Sequence, residues 1–582
     1  MAFLRNLLAT IVGLIIFSII GFFVFAGIIS ALSAEDVPKV KDNSVLYLRM
    51  GGVVQERTVD DPLQELLPAE APKSLGLMDI LKAIRNAKED EKIQGIYMEH
   101  QFLAAGYASL EEIRDALVDF KSSGKFLYSY GEFISEGDYY LASVSDSIIM
   151  HPEGTLEFNG LTANVTFWKG MFDKLKIKPV IFRVGEFKSA VEPFMKKEMS
   201  DENRLQLTEL LNSIYGHYLD NTSETRGLDR NELEKASDEL LIQLPNDAID
   251  FGLVHRLGYE DEVKRAIRSN LELEDDEDIN FVSLSKYNKA SGSAGYSSNK
   301  IAVIFGEGTI VNAGDENTSI VGDKLANEIR KARENSSIKA IVLRVNSPGG
   351  SLTASDAIWR EVQKTRGVKP IIASMSDVAA SGGYYISMAC DSIVAQPNTI
   401  TGSIGIFGLL FNFEDFLEDK LGITSETVNT GEHSDYMTVT RELTDYERQV
   451  IQKNIEKGYD TFISKAAEGR GLAREEIINV AGGRVWSGKQ ALENKLVDKL
   501  GSFDDAIAMA ADMAGVADDY RVSYYPRKKP FIEEFLSQMS DEAEVRIFGG
   551  EDDVLSVYRE KIRQINQMRG IQAMMPWDLE IK

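Results

Sequence analysis

The chain repeats itself at domain length, and that repeat constrains its fold more than any other feature. Residues 136–152 read EGDYYLASVSDSIIMHP and residues 381–397 read SGGYYISMACDSIVAQP, with seven identities in 17 positions at an offset of 245 (381 − 136). The same offset pairs IQGIYM (93–98) with IKAIVL (338–343). Self-similarity at this spacing means duplicated domains, because solenoid repeats run at about 20–50 residues. The copies disagree where chemistry would sit. Copy two has Ser381 in A-S-G-G and the turn Ser347-Pro348-Gly349-Gly350; copy one has Glu136 and Phe102-Leu103-Ala104-Ala105 at those places. Copy one has Lys188 in G-E-F-K-S-A, whereas the matching G-E-H-S-D of copy two has no lysine. A nucleophile in one half and a base in the other would make a single active site from both.

The 582 residues suffice for two or more domains, and 44% hydrophobic content supports packed cores. The net charge of −27 (64 − 91) argues against a nucleic-acid partner, since phosphate binding needs a basic surface. The acidic run Glu272–Asp278 reads as a solvated boundary segment. The single cysteine, Cys390, permits no intrachain disulfide or thiolate metal cluster; it aligns with Ser145 and reads as a small buried residue. No metal or organic cofactor is suggested. Residues 7–32 carry no charge, exceed the ~20 residues that span a bilayer, and follow Arg5. They predict a transmembrane anchor with a cytoplasmic N-terminus and the rest outside the cytoplasm. The rival is a cleaved signal peptide with Leu32-Ser33-Ala34 as its cleavage site, although such apolar cores run only ~7–15 residues.

Short apolar, β-branched runs alternate with amphipathic segments. VLYLRM (45–50) and IAVIFG (301–306) predict the first strand of each copy. In copy two, IVLRV (341–345), the glycine turn, a loose helical stripe of Leu352, Ile358 and Val362, and the strand Pro370–Ala373 make a βαβ unit. The fold class is therefore α/β, with largely parallel sheets and covering helices. The expected layout is copy one at 44–285, a Ser/Gly-rich linker at 286–300, copy two at 301–526, and an extension at 527–582 with a helix near Val554–Met568.

The SPGG turn lies between a strand and a helix, where glycines bring N–H groups close to a ligand. Ser381 likewise follows a strand and opens a helix, a position common for a plain N-cap. If both turns face one cleft, the N–H groups of Gly350 and Gly382 would serve as paired oxyanion donors. A serine nucleophile needs a base. None of the five histidines stands in a compelling Ser-His-Asp context; His433, near the position that aligns with Lys188, is the one rival. Buried lysine can act instead when desolvation lowers its pKa. Lys188 sits among apolar residues in VGEFKSAVEPF (184–194).

The stretches GEFKSAVEPF, SPGG, ASGGYY and TGSIGIFG (401–408), in that order behind an anchor, resemble the signal peptide peptidase A family in its long double-domain bacterial form, protease IV. The resemblance runs from the anchor to about residue 526. It implies two tandem Clp-protease/crotonase-like domains and a Ser/Lys dyad, with Ser381 as nucleophile and Lys188 as general base. It further implies Gly349, Gly350 and Gly382 as oxyanion donors and Ser403 as the residue orienting the lysine. It implies a membrane-anchored homotetramer on the periplasmic side of a bacterial inner membrane, degrading cleaved signal peptides. Two other readings remain: a crotonase-like acyl-CoA enzyme, to which Glu136 lends some support, and a non-catalytic membrane scaffold.

Overall fold

The computed structural model describes residues 2–33, 38–58, 74–292, 297–527, 570–575 and 580–581. Two parallel sheets carry the duplication. In the first, the strand order is Asn280–Ser283, Ser44–Gln55, Ile93–Ala104, Phe126–Ile134, Ser147–Leu156, Arg256–Leu257. In the second it is Arg521–Tyr525, Lys300–Glu307, Ile338–Ser347, Ile371–Ala380, Ser392–Ala395, Lys499–Leu500. The orders correspond strand for strand. Both faces of the second sheet are covered, so its strands are continuously apolar: Ile341, Val342 and Leu343 are all fully buried. The helix Leu352–Thr365 follows the glycine turn and buries Ile358 and Val362, with Leu352 half-buried.

The halves pack face to face. One apolar cluster contains Leu46, Leu48 and Met98 from the first half and Val303, Val342 and Phe503 from the second. Arg344 crosses this interface fully buried. Its Nε donates to Glu56 (2.9 Å) and its Nη1 to Glu112 (2.7 Å), with Ser374 and Ser376 accepting its remaining bonds. A third sheet also joins the halves: Lys178–Val184 runs antiparallel to Ile406–Asn412 over seven residue pairs. This pairing positions the site, because the chain leaves the first strand toward Lys188 and enters the second from Ser403.

Three expectations meet the structure here. The stretch 286–300 begins inside a helix, Leu284–Ala290, because one aromatic, Tyr287, is fully buried and holds it down. The N-terminal helix spans Ala2–Ser33. Among the described residues no helix is long and apolar enough to cross a membrane, and the anchor at 7–32 falls partly outside the described side chains. The helix expected near Val554–Met568 lies outside the described residues. Beyond it, Gly570–Met574 forms a strand that the sequence reading missed, seated between Gly349–Ser351 and Ile406–Asn412.

Candidate active site

Ser381 stands at the junction of the strand Ile371–Ala380 and the short helix Gly382–Ser387, fully buried. Its backbone has φ 54° and ψ −108°, a conformation that costs a non-glycine residue roughly 1–3 kcal/mol. The turn is pinned by its N–H donating to the Gly402 carbonyl (2.8 Å) and by Tyr385 N–H donating to its carbonyl (2.8 Å). Its side chain makes no capping bond, unlike an ordinary N-cap serine, and is left for another partner.

That partner comes from the other half. Lys188 Nζ lies 2.9 Å from Ser381 Oγ, 3.0 Å from the Ser403 carbonyl oxygen and 3.1 Å from Ser403 Oγ. Ser403 Oγ donates onward to the Gly483 carbonyl (3.2 Å), which leaves its lone pairs facing the lysine. Lys188 is fully buried, and burial alone drives its pKa well below the ordinary lysine value. Two glycines wall in its stem. A Cβ on Gly483 would stand 2.6 Å from Lys188 N, and one on Gly405 3.1 Å from its Cδ. Sequence reasoning missed both. Gly405 lies within the TGSIGIFG stretch and Gly483 in the G-G of 482–483, but neither pattern says that it meets the lysine.

Three oxygens lie within hydrogen-bonding distance of the amine: Ser381 Oγ, the Ser403 carbonyl and Ser403 Oγ. A neutral amine, the form that burial favours, would donate two of these bonds and have its lone pair for the Ser381 hydroxyl.

Gly349 and Gly350 have φ of 99° and 153°. A Cβ on Gly350 would collide with the Ile310 backbone, and one on Gly349 would stand 2.5 Å from Gly382 N. The SPGG turn and the Ser381 turn therefore face one cleft. The Ser347 hydroxyl accepts from Gly349 N–H (3.2 Å) and braces the turn.

The histidines are engaged elsewhere. His433 contacts Glu447 (3.1 Å), His217 contacts Glu111 (3.1 Å), and His100 lies buried against Asp138 and Ser129. Copy one has no matching centre. Glu136, at the position aligned with Ser381, accepts from the backbone N–H groups of Asn159 and Gly160, and burial pushes its pKa up to about 7. Its oxygens serve a loop, which removes the feature that pointed to acyl-CoA chemistry.

Tandem α/β halves around one buried serine define a serine peptidase of the Clp-like class. The chain belongs to peptidase family S49, whose profile matches residues 119–274 and 363–517, and a Clp protease profile matches 293–401. It is 37% identical to Protease 4 of Salmonella typhi over 473 residues, 80% of this chain and 76% of that protein. It is 32% identical to the chloroplastic serine protease SPPA of Arabidopsis thaliana, covering 84% of this chain and 72% of that one. It is also 32% identical to the Enterococcus faecium protein named "Putative signal peptide peptidase SppA", covering 45% and 78%.

Proposed function

We propose that this serine peptidase works through a Ser381/Lys188 dyad and degrades cleaved signal peptides at a bacterial inner membrane. The observation that carries the reading is the 2.9 Å contact between Ser381 Oγ and a buried Lys188 amine. Neutral Lys188 takes the Ser381 proton as Oγ attacks a peptide carbonyl. The oxyanion forms against the backbone N–H groups of Gly350 and Gly382; Gly349, expected as a third donor, already gives its N–H to Ser347 Oγ. Lys188 then protonates the leaving amine, and water hydrolyses the acyl-enzyme. Ser403 positions the amine through both of its oxygens.

The membrane and the assembly belong to the same reading. Leu7, Leu8, Ile11, Leu14, Phe17 and Ile20 of the N-terminal helix are each about half exposed or more, a surface suited to lipid. Arg5 before it favours catalytic halves on the periplasmic side. For assembly into a homotetramer, the internal repeat supplies an edge. Lys178–Val184 of copy one is paired, whereas its copy-two counterpart, residues 424–430 (178 + 246, aligned on G-E), is exposed and irregular, with Val428 at 99%. The copy-one counterpart of the strand Ile406–Asn412 is 161–167 (406 − 245). Pairing 424–430 of one subunit with 161–167 of the next would repeat the contact already made within the chain.

The test is acylation or phosphonylation of the full-length protein in detergent, read by mass spectrometry. Labelling of Ser381 that disappears in Lys188→Ala supports the dyad. Full peptide hydrolysis by Ser381→Ala would sink it.

A further inference from the structure

Lys188 is the centre of a tight turn. Its backbone has φ −75° and ψ 74°, and Ser189 N–H donates to the Phe187 carbonyl (2.8 Å). That is an inverse γ-turn, a three-residue bend closed by a single bond across its central residue. One such bond is a weak hold for a side chain whose placement matters to about 1 Å.

A second grip comes from one amide. Gln206, buried on the helix Asp201–Arg226, donates through Nε2 to the same Phe187 carbonyl (3.2 Å), to Ser189 Oγ (2.9 Å) and to Asn203 Oδ1 (3.0 Å). Its Oε1 accepts from Val485 N–H (3.3 Å). A backbone carbonyl only accepts and a backbone N–H only donates, so these contacts allow one orientation of the amide. The side chain thus holds the residues on both sides of Lys188 and ties them to Val485.

Val485 belongs to the other half of the chain. It pairs with Gly402, whose carbonyl accepts from Ser381 N–H (2.8 Å). The residue before it, Arg484, gives its carbonyl to Ser403 N–H (2.7 Å), and Ser403 in turn meets the amine. The helix lies along this stretch in register. Glu209 pairs with Arg484, Leu210 packs with Val485, and Ser213 Oγ lies 2.7 Å from Ser487 Oγ. Residues 206, 209, 210 and 213 share one face at helical spacing. Gln206 is the member of that face that bonds both neighbours of the lysine.

We propose that Gln206 is a positioning residue of the general base: its amide fixes the Lys188 turn against the strand on which Ser381 and Ser403 are anchored. The inference rests on the dyad reading above. No step of the chemistry passes through Gln206; it acts by keeping Lys188 Nζ within reach of Ser381 Oγ. Charged groups bonded around the turn are Arg183, whose Nη1 donates to the Lys188 carbonyl (3.5 Å), Glu192, which lies 3.9 Å from both Arg183 and Lys196, and the Arg484–Glu209 pair. Burial is the one cause that lowers the lysine's pKa, so a change in its titration reports its solvation.

The experiment is the pH dependence of kcat and KM for Gln206→Leu and Gln206→Glu in the full-length protein in detergent, on an apolar peptide, with the rate of Ser381 phosphonylation alongside. Leucine keeps the bulk and loses every bond of the amide. Ionised glutamate is isosteric, keeps the acceptor for Val485 N–H and loses both donors. Each variant is expected to lose on the order of 100-fold in kcat, the cost of a misplacement of about 1 Å, with KM nearly unchanged because the bonds it loses are all to the protein. The limb of the profile that reports Lys188 is expected to move to higher pH, since an amine freed from its pocket regains water. Phosphonylation is expected to slow in parallel. A lowered thermal transition with kcat and the limb unchanged makes Gln206 a core support alone and overturns the inference, as does failure of both variants to give folded protein. A wild type with no lysine limb, whose Ser381 labelling survives Lys188→Ala, overturns the dyad reading itself. A wild type that shows the limb and the Lys188-dependent labelling, matched by both variants, overturns this inference and leaves the dyad standing.

Discussion

At the scale of single residues, the proposed dyad depends on keeping one amine neutral. Protonated Lys188 cannot accept the Ser381 proton, so kcat/KM should rise with pH through the lowered lysine pKa and be lost as pH falls through it. A profile flat down to the carboxylate range would remove lysine from the base role. Lys188→Arg should be inactive, because arginine does not deprotonate. Stability gives an independent reading. Between the folded pKa of Lys188 and its unfolded value of 10.5, the unfolded chain binds a proton that the fold does not. Wild-type stability therefore gains about 1.36 kcal/mol per pH unit in that window from this group. Lys188→Met lacks the dependence. The stability difference, variant minus wild type, should fall by about that amount per unit as pH rises toward 10. A constant difference in chemical denaturation would mean that the lysine is charged in the fold.

At the scale of elements, the amine is placed by backbone close to backbone. Gly483 has φ 87° and meets Lys188 N at 2.6 Å from its notional Cβ. Gly483→Ala should push the lysine away from Ser381 and cost on the order of 100-fold in kcat/KM, as misplacements of about 1 Å do, with far-UV circular dichroism retained. Unaltered activity would show that the wall does not set the lysine's position. The βαβ succession, the equivalent first strands 45–50 and 301–306 of the two copies, and the turns at Gly349-Gly350 and Ser381 were legible in the chain because each follows from local pattern. The helix Leu284–Ala290 was not, since a single buried tyrosine outweighs its polar composition. The strand Gly570–Met574 was not either, because no local periodicity marks five residues that are ordered by the edges on each side.

At the scale of the whole molecule, the halves are locked by a buried ion cluster. Arg344→Met would leave Glu56 and Glu112, both almost fully buried, without their counter-charge. The expected loss is about 3–5 kcal/mol, read as a lowered thermal transition. An unchanged transition would mean that apolar packing alone joins the halves. Assembly can be tested in register. Leu409 pairs with Ile181 within the chain, so Asn164 (409 − 245) should meet Thr427 (181 + 246) between subunits. Asn164→Cys with Thr427→Cys should cross-link into oligomers under oxidation, against a background in which the one native cysteine, Cys390, is buried. Chains that stay uncross-linked would discard this interface.

The amino-acid sequence by itself determined that there are two copies, that they are α/β, and which copy carries the serine and which the lysine. These are properties of short segments, written in apolar runs, glycine turns and the repeat. Only the tertiary structure decided that Lys188 and Ser381, 193 residues apart, come within hydrogen-bonding distance. It also decided that Gly483 closes the wall and that the strand Gly570–Met574 lies against the Gly349-Gly350 turn. The reason is physical. The pairing of Lys178–Val184 with Ile406–Asn412 joins segments 222 to 234 residues apart (406 − 184, 412 − 178). It forms because the rest of the fold leaves those two edges open to one another.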